Sequence, residues 1–309
     1  MAMALCAKGY AIRGIYRNEK KRAPLAHLPI EWIKADVLDV VALDKAIEGA
    51  EVVIHLAAII SINGDPNGLV MRTNVEGPRH VVAACLKHKV RQLIHFSSIH
   101  AFKYNQHTSV VDETCAPADE KSFVYDQSKA LGEDEIRKGI GQGLHAVILN
   151  PTGVIGPHDF YGSRMGTLFQ DLFRGNLPAL TSGGFDWVDV RDLVAATLTI
   201  IEQGKTSQHQ YLLSGHWATF ADIQQLCFEL SGQKTPLGVL PLWLPFLGLP
   251  FIKIWQRISH TEPLFTYESL MIIKHANPNC SHQRARQDLD YHPRPLRESV
   301  ADIFEWRQG

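Results

Sequence analysis

The chain has 309 residues, of which 45% are hydrophobic and 20% charged, so it is large enough to bury a substantial core. The formal net charge of −1 gives no electrostatic reason to expect a nucleic-acid partner. The five scattered cysteines form no C-x-x-C pair and the histidines show no metal-ligand spacing, so we expect no metal and a reducing, cytoplasmic location.

The first half of the chain alternates predicted strands and helices. Residues 1–6 have the pattern of the end of a helix, which Gly9 would cap. Continuous apolar runs predict strands, and apolar residues at helical spacing predict helices. The predicted strands are 11–16, 30–36, 51–58, 91–98 and 145–151, and the predicted helices are 37–49, 68–89 and 122–140. This order predicts an α/β fold built on a doubly wound parallel sheet.

After residue 151 the alternation loosens. Shorter helices are predicted at 190–203 and 220–230, between loops rich in glycine, proline and aromatic residues. We therefore expect a dinucleotide-binding domain of residues 1–155, to which residues 185–215 return. Residues 156–309 are expected to form a smaller α+β substrate lobe on the carboxyl ends of the strands, where such folds bind their ligands.

An uncharged stretch, TPLGVLPLWLPFLGLPFI, separates Lys234 from Lys253. Four prolines interrupt it, and each would remove a helical hydrogen bond that lipid cannot replace. We therefore expect a buried or pocket-lining segment, with a membrane contact through residues 237–252 as the alternative.

The most specific local pattern is YDQSK, residues 125–129, on a predicted helix. Tyr125 and Lys129 lie one turn apart on the same helix face. An ammonium group at this distance would lower the pKa of the phenol, so that Tyr125 could exchange a proton with a substrate oxygen. An exposed helix can carry Y-x-x-x-K by chance. However, Ser97 and Ser98 end a buried strand where a doubly wound sheet places its ligand, and a hydroxyl there can bond the same oxygen.

These motifs, in this order, resemble the extended short-chain dehydrogenases/reductases of the NAD-dependent epimerase/dehydratase family, and within them the dihydroflavonol 4-reductase-like branch. FSSIHAF and YDQSK match the Ser-Tyr-Lys triad of that family, which implies catalytic roles for Ser98, Tyr125 and Lys129. ADVLD, VIHLAA, TNVEG and NPTGVIGP resemble its cofactor-binding segments. The resemblance implies a Rossmann-like fold and cofactor contacts at Asp36, Val37, Leu56, Ala57, Ala58, Asn74, Tyr125, Lys129, Pro151, Thr152 and Val154.

The activity implied by the resemblance is the reduction of a carbonyl, or the oxidation of an alcohol, on a small-molecule substrate with NADP or NAD. HDFYG, GGFDW and the uncharged stretch suit an apolar or aromatic substrate better than a charged diphosphate. Two alternatives stay open: a nucleotide-sugar epimerase or dehydratase, which uses the same triad, and a non-catalytic paralogue that acts as a sensor or interaction protein. Similar proteins commonly form homodimers through two long helices of the sheet domain, so a homodimer is a further expectation.

The residues that follow the strand 11–16 indicate which cofactor is preferred. NAD-preferring proteins usually carry Asp or Glu there, to bond the ribose hydroxyls. This chain has Arg17 and Asn18, with Lys20, Lys21 and Arg22 nearby. Because a guanidinium group suits a 2′-phosphate, we expect NADP, with NAD as the alternative.

The phosphate-binding glycines of this fold are expected about 20 residues before the residue that recognises the ribose. Counting back from Arg17 places them before Met1, and no glycine precedes Gly9. We therefore expect an N-terminally truncated chain that lacks the first strand and the glycine-rich turn, through a misplaced start or as a genuine short form. Such a chain should have unpaired strand edges, low stability and weak affinity for a dinucleotide.

Overall fold

The computed structural model describes residues 1–233, 237–249 and 266–308. The helices are α1 (Ala2–Ala7), α2 (Glu19–Arg22), α3 (Val40–Ile47), α4 (Leu69–Met71), α5 (Gly77–Lys87), α6 (Val124–Gly141), α7 (Arg164–Arg174), α8 (Val190–Gln203), α9 (Phe220–Ser231), α10 (243–249, as far as described), α11 (Tyr267–His275), α12 (Gln283–Leu289) and α13 (Leu296–Gln308). The strands are β1 (Ile12–Tyr16), β2 (Ile30–Lys34), β3 (Val52–His55), β4 (Gln92–Phe96), β5 (Ala146–Pro151), β6 (Gly153–Ile155), β7 (Leu180–Thr181), β8 (Gly184–Asp189), β9 (Gln210–Leu213), β10 (His216–Thr219) and β11 (Val239–Leu240). A π-helical turn, Arg72–Glu76, joins α4 to α5, and a short 3₁₀ turn, Ile99–Ala101, follows β4.

A four-stranded parallel sheet in the order β3-β4-β5-β9 forms the centre of the fold. Its strands are mostly apolar because helices cover both faces, although polar residues such as His95 and Asn150 are buried within them. Leu93 and Ile148 pack towards α3, α5 and α6, whereas Ile94 and Val147 pack towards α8 and α12. The predicted doubly wound parallel sheet is thereby confirmed.

β1 and β2 form a separate parallel ladder, from Ile12 opposite Ile30 to Tyr16 opposite Lys34. Among the described residues, neither strand is hydrogen-bonded to β3, so the sheet is interrupted between β1 and β3. The unpaired edges that the sequence predicts are present here. One consequence is that Ile15, in the middle of β1, keeps 40% of its surface exposed.

The helices α8 and α9 begin and end where the sequence predicts, because their caps are local. Asp189 accepts the backbone N–H of Arg191 at the start of α8, and Gly204 ends that helix with a φ of 70°. Thr219 and Asp222 form a reciprocal capping box at the start of α9, and Gly232 ends it with a φ of 72°.

A second core lies around the sheet β10-β8-β6. Trp187 of β8 is fully buried there against Phe169 and Phe220. The chain nevertheless returns to the first core: α8 and β9 pack in it, and so does α12, which belongs to the predicted lobe of residues 156–309. The predicted return of residues 185–215 to the first domain stays a prediction. The domain boundary at residue 155 stays a prediction, and residues 234–236, 250–265 and 309 lie outside the described part of the chain.

Residues 237–249 are less buried than predicted, and residues 250–252 of the predicted segment lie outside the described ranges. Leu242 packs against the second core and the Phe246 ring contacts the Tyr267 ring, but Trp243 and Leu247 on α10 are 61% and 63% exposed. The reason is that the described part of this helix presents one face to the protein and the other outward. Within the described ranges, no helix is both long enough and apolar enough to cross a membrane.

Candidate active site

The structure brings Ser98, Tyr125 and Lys129 together beyond the carboxyl end of β4. Ser98 follows that strand, Tyr125 lies in the first turn of α6, and Lys129 lies one turn later. All three side chains are buried, and the Tyr125 phenol is hydrogen-bonded to Ser98. A hydroxyl pair with a buried ammonium group nearby is an arrangement that can transfer a proton to or from a substrate oxygen.

The phenol of Tyr125 is protonated at neutral pH. Burial raises its pKa to about 12, the hydrogen bond with Ser98 lowers it, and the charge of Asp126 raises it. The expectation that Lys129 lowers this pKa is wrong for this structure. The Lys129 ammonium instead donates to the carbonyl oxygen of Phe96, at 3.0 Å, on the neighbouring strand β4.

Lys129 is an unusual lysine because it is almost completely buried. Burial lowers its pKa to about 8, although Glu133 one turn further along α6 raises it. The ammonium form still predominates at pH 7, so Lys129 carries a positive charge one helical turn from Tyr125. That charge is lost as the pH rises through about 8.

Asn74, which the family resemblance predicts to be a cofactor contact, links the loop after β3 to α6 through hydrogen bonds. Its amide oxygen accepts the N–H of Ile59 at 2.8 Å, and its amide nitrogen donates to Ile59 O and to Ser128 Oγ, each at 2.9 Å. The Ser128 hydroxyl in turn donates to the carbonyl oxygen of Tyr125 at 2.7 Å. Asn74 lies in the π-helical turn, a type of turn frequently found at functional sites.

Gly132 allows α6 to approach this π-helical turn closely. A Cβ atom at position 132 would lie 2.3 Å from the carbonyl oxygen of Asn74, which belongs to the backbone and cannot move aside cheaply. We therefore expect Gly132→Ala to lower the free energy of unfolding by about 2 kcal/mol or more, through overpacking. Chemical denaturation measures this change.

The matched control for this prediction is Gly141→Ala at the end of the same helix. A Cβ atom there would meet nothing within 4 Å, so its effect should be near zero or slightly stabilising. Equal stability of the Gly132→Ala and Gly141→Ala variants would show that α6 does not pack against the π-helical turn as described.

Arg17 and Asp36, both predicted to contact the cofactor, lie together just beyond β1 and β2. Arg17 Nη1 donates to Asp36 Oδ2 at 3.1 Å, and more than half of the Arg17 side chain is exposed. Burial raises the pKa of Asp36, but the Leu38 N–H and Arg17 outweigh it, so that the pKa is lowered overall. Val37, between Asp36 and Leu38, is buried against Gly77.

The remaining predicted cofactor residues differ in their solvent exposure and in the element that carries them. Leu56, Ala57 and Ala58 are exposed and lie in a loop, because β3 ends at His55, earlier than predicted. Pro151 is the buried last residue of β5, and Val154 in β6 is 37% exposed. The buried Thr152 hydroxyl donates to Asp186 at 2.6 Å, so it is engaged within the protein.

The sequence did not predict the residues that hold the Ser98, Tyr125 and Lys129 set in place through hydrogen bonds. Asn150 donates to Ser98 O at 2.8 Å and to Glu133 Oε1 at 2.6 Å, so it connects the strand end that carries Ser98 to α6. The available signal was the spacing of Tyr125, Lys129 and Glu133, which are successively four residues apart on one helix face. His100 and Asp126, next to Tyr125, were also missed.

A buried Ser-Tyr-Lys set at the carboxyl ends of a doubly wound parallel sheet is the arrangement that the sequence predicts for a dinucleotide-dependent enzyme. The NAD dependent epimerase/dehydratase family matches residues 1–213, which is more than half of the chain. The protein therefore belongs to the NAD dependent epimerase/dehydratase family. The family resemblance inferred from the motifs is confirmed.

Individual relatives agree with this assignment. The chain is 29% identical over 308 residues to sterol demethylase protein B of Methylococcus capsulatus, covering 99% of this chain and 93% of the relative. It is 27% identical over 255 residues to a bifunctional dihydroflavonol 4-reductase/flavanone 4-reductase of Malus domestica, covering 74% of this chain and 72% of the relative. The crystal structure of a UDP-glucose 4-epimerase of Thermotoga maritima superposes with a TM-score of 0.79 at 19% identity, over 99% of this chain and 93% of the other, and shows the fold alone.

Proposed function

We propose that this protein is an NAD(P)-dependent oxidoreductase that reduces a carbonyl, or oxidises an alcohol, on a small apolar or aromatic substrate. The observation that carries the proposal is the buried Tyr125 phenol, hydrogen-bonded to Ser98 and one helical turn from the Lys129 ammonium. A phenol with a pKa of about 12 holds its proton at neutral pH and releases it to a more basic alkoxide, which forms only as a carbonyl is reduced.

The residues present fit a nicotinamide dinucleotide. Arg17 and Asp36 beyond β1 and β2 would hold its adenosine half, and Tyr125 and Lys129 beyond β4 would hold the nicotinamide half. The exposed loop 56–58 lies after β3, the strand beside β4 in the sheet. When bound, the dinucleotide supplies the hydride that reduces the carbonyl carbon.

Each residue of the triad has a distinct task in this proposal. Ser98 holds the substrate oxygen and the Tyr125 hydroxyl in one hydrogen-bonded arrangement. Tyr125 transfers its phenolic proton to the substrate oxygen, and the Lys129 ammonium neutralises the charge that remains on the phenolate. Because all three side chains are buried, water does not compete for these contacts.

The preference for NADP is supported by the exposed guanidinium group of Arg17. In this proposal the guanidinium group binds the 2′-phosphate of NADP, because guanidinium binds phosphate through paired hydrogen bonds. The Asp36 carboxylate already pairs with Arg17, so in this proposal it positions the guanidinium group.

An apolar or aromatic substrate is supported by the side chains near the start of α6. Phe123, two residues before Tyr125, lies edge-to-face against Tyr267, and Tyr267 lies likewise against Phe246. The names of the two relatives agree with this class, since one refers to a sterol and the other to a dihydroflavonol. A row of aromatic rings favours such polycyclic molecules over a diphosphate.

The proposal is tested by incubating the purified protein with NADPH or NADH and a panel of ketosteroids, dihydroflavonols, aromatic aldehydes and UDP-sugars. We expect one alcohol molecule for each NADPH consumed with at least one apolar carbonyl, and a KM for NADPH at least about tenfold below that for NADH. Conversion of a UDP-sugar without net cofactor consumption would instead identify an epimerase. Binding of NADPH without any conversion would identify a non-catalytic protein.

A further inference from the structure

The ring of His100 lies directly against the Tyr125 ring. The two ring centroids are 5.6 Å apart, in an edge-to-face arrangement at 62°. The backbone N–H of His100 donates to the Ser98 hydroxyl at 3.2 Å, in the 3₁₀ turn after β4. The backbone of His100 is therefore hydrogen-bonded to Ser98, and its ring packs against the ring of Tyr125.

Asp126, the residue after Tyr125, contacts the same imidazole. His100 Nδ1 is 3.0 Å from Asp126 Oδ1, and only 25% and 18% of the two side chains are exposed. In the described part of the chain, Asp126 Oδ1 is buried and has no hydrogen-bond partner, and His100 Nδ1 is the ring nitrogen that approaches it. A buried carboxylate oxygen in this position is stabilised by a neighbouring cation.

Three acidic groups in the described part of the chain are affected by the charge of Asp126. They are Tyr125 on the same helix, Glu268 at the start of α11, and Tyr104 after the 3₁₀ turn. Both burial and the charge of Asp126 raise the pKa of each. The Lys129 ammonium donates to the carbonyl oxygen of Phe96. Within the described ranges, His100 is a group in contact with Asp126 that can become positively charged.

We propose that His100 is a positioning residue for Tyr125, whose imidazolium form neutralises Asp126 and so favours proton release from the phenol. The inference rests on the function proposed above. It follows from the placement of one imidazole against both the Tyr125 ring and a buried carboxylate oxygen. Among the described residues, Lys129 one turn along α6 and His100 beside the ring are neighbours of Tyr125 that can carry a positive charge.

The pH profile of kcat for carbonyl reduction tests this role. In the wild-type protein, kcat should fall about tenfold across the range in which an imidazole loses its proton, about pH 5 to 8. His100→Phe keeps a ring against Tyr125 but cannot be protonated, so below the fall at about pH 8 its profile should be flat at the lower value. The separate fall at about pH 8, caused by Lys129, should remain in every variant.

Asp126→Asn separates the charge effect from packing. It removes the negative charge that opposes phenolate formation, so kcat at neutral pH should rise, and the imidazole-dependent fall should move to lower pH. A purely structural role for His100 predicts the opposite pattern, in which both variants lower kcat by a constant factor at every pH. That result would overturn the proposal. If His100→Phe does not fold, His100→Gln replaces it, with the same expectation.

The matched control is the exposed pair His292 and Asp290, in which Nε2 and Oδ1 are also 3.0 Å apart. His292→Phe and Asp290→Asn should leave the profile unchanged. A change as large as that in His100→Phe would show that any histidine affects the profile, and would contradict the specific role of His100.

A measurement without turnover separates this proposal from the proposed function. A fluorotyrosine at position 125 should show a pH-dependent ¹⁹F shift in the range of imidazole titration, absent in His100→Phe and moved to lower pH in Asp126→Asn. If the wild-type protein reduces no carbonyl, the proposed function fails, while the ¹⁹F titration still decides whether His100 controls the charge at Tyr125. An identical titration in all three proteins would overturn the inference.

Discussion

Replacing Tyr125 with phenylalanine should lower kcat for carbonyl reduction by about a thousandfold and leave the Kd for NADPH within about twofold of the wild-type value. The substitution removes only the phenolic oxygen, so the ring keeps its packing against His100. The proton donor is lost, and so is the hydrogen bond to Ser98. Steady-state kinetics and a fluorescence titration with NADPH measure the two quantities.

Tyr211→Phe is the matched control for this prediction. Tyr211 is also fully buried, and its hydroxyl donates to Asp288 at 3.1 Å. However, it lies in β9, which is the edge strand of the sheet opposite to β3. Its removal should cost about 1 kcal/mol of stability and leave kcat nearly unchanged. Retained turnover in Tyr125→Phe would show that the phenol is not the proton donor.

Replacing Lys129 with methionine should abolish most of the activity and at the same time stabilise the fold. Burial lowers the pKa of Lys129 from 10.5 to about 8, so the folded state disfavours the ammonium form. This difference corresponds to about 3 kcal/mol at neutral pH, and loss of the hydrogen bond to Phe96 O offsets about 1 kcal/mol of it. We therefore expect Lys129→Met to be about 2 kcal/mol more stable at pH 7.

The pH dependence of this stability difference has a definite sign. Between pH 8 and 10.5 the Lys129 side chain is more often protonated in the unfolded chain than in the folded one. The free energy of unfolding of the wild-type protein therefore increases as the pH rises through that range. The advantage of Lys129→Met should be full below about pH 8 and decrease towards 10.5. Urea denaturation at a series of pH values measures it.

The control for the lysine substitution is Lys138→Met on the same helix. Lys138 is 63% exposed and pairs with Glu135 at 2.7 Å, so its removal should change stability by less than about 0.5 kcal/mol. If Lys129→Met were less stable than the wild-type protein at pH 7, the buried ammonium would not carry the desolvation cost described here.

The sequence predicts well those features that depend on local patterns. The boundaries of α8 and α9 follow from caps within a few residues, and the triad follows from a four-residue helical spacing and a strand end. The strand β3 is shorter than predicted because an apolar run continues to Ala58, whereas strand pairing with β4 stops at His55. Hydrophobicity alone does not encode where a pairing partner ends.

The orientation of single side chains depends on partners that are distant in sequence, so the sequence alone does not predict these orientations. Lys129 donates to a carbonyl oxygen 33 residues earlier, on β4, a contact that the helical spacing of Tyr125 and Lys129 does not reveal. The Thr152 hydroxyl is engaged by Asp186, and Asn150 reaches the backbone of Ser98. Such contacts exist only once the sheet has brought the strands together.

In the proposed reaction, a hydride and the Tyr125 proton reach the same carbonyl group. The most direct measurement is mass spectrometry of the product formed with NADPH deuterated at the transferable position of the nicotinamide ring. We predict an alcohol that carries one deuterium on the former carbonyl carbon, formed by the wild-type protein and not by Tyr125→Phe. A product without deuterium, or labelled alcohol formed equally by Tyr125→Phe, would contradict the account.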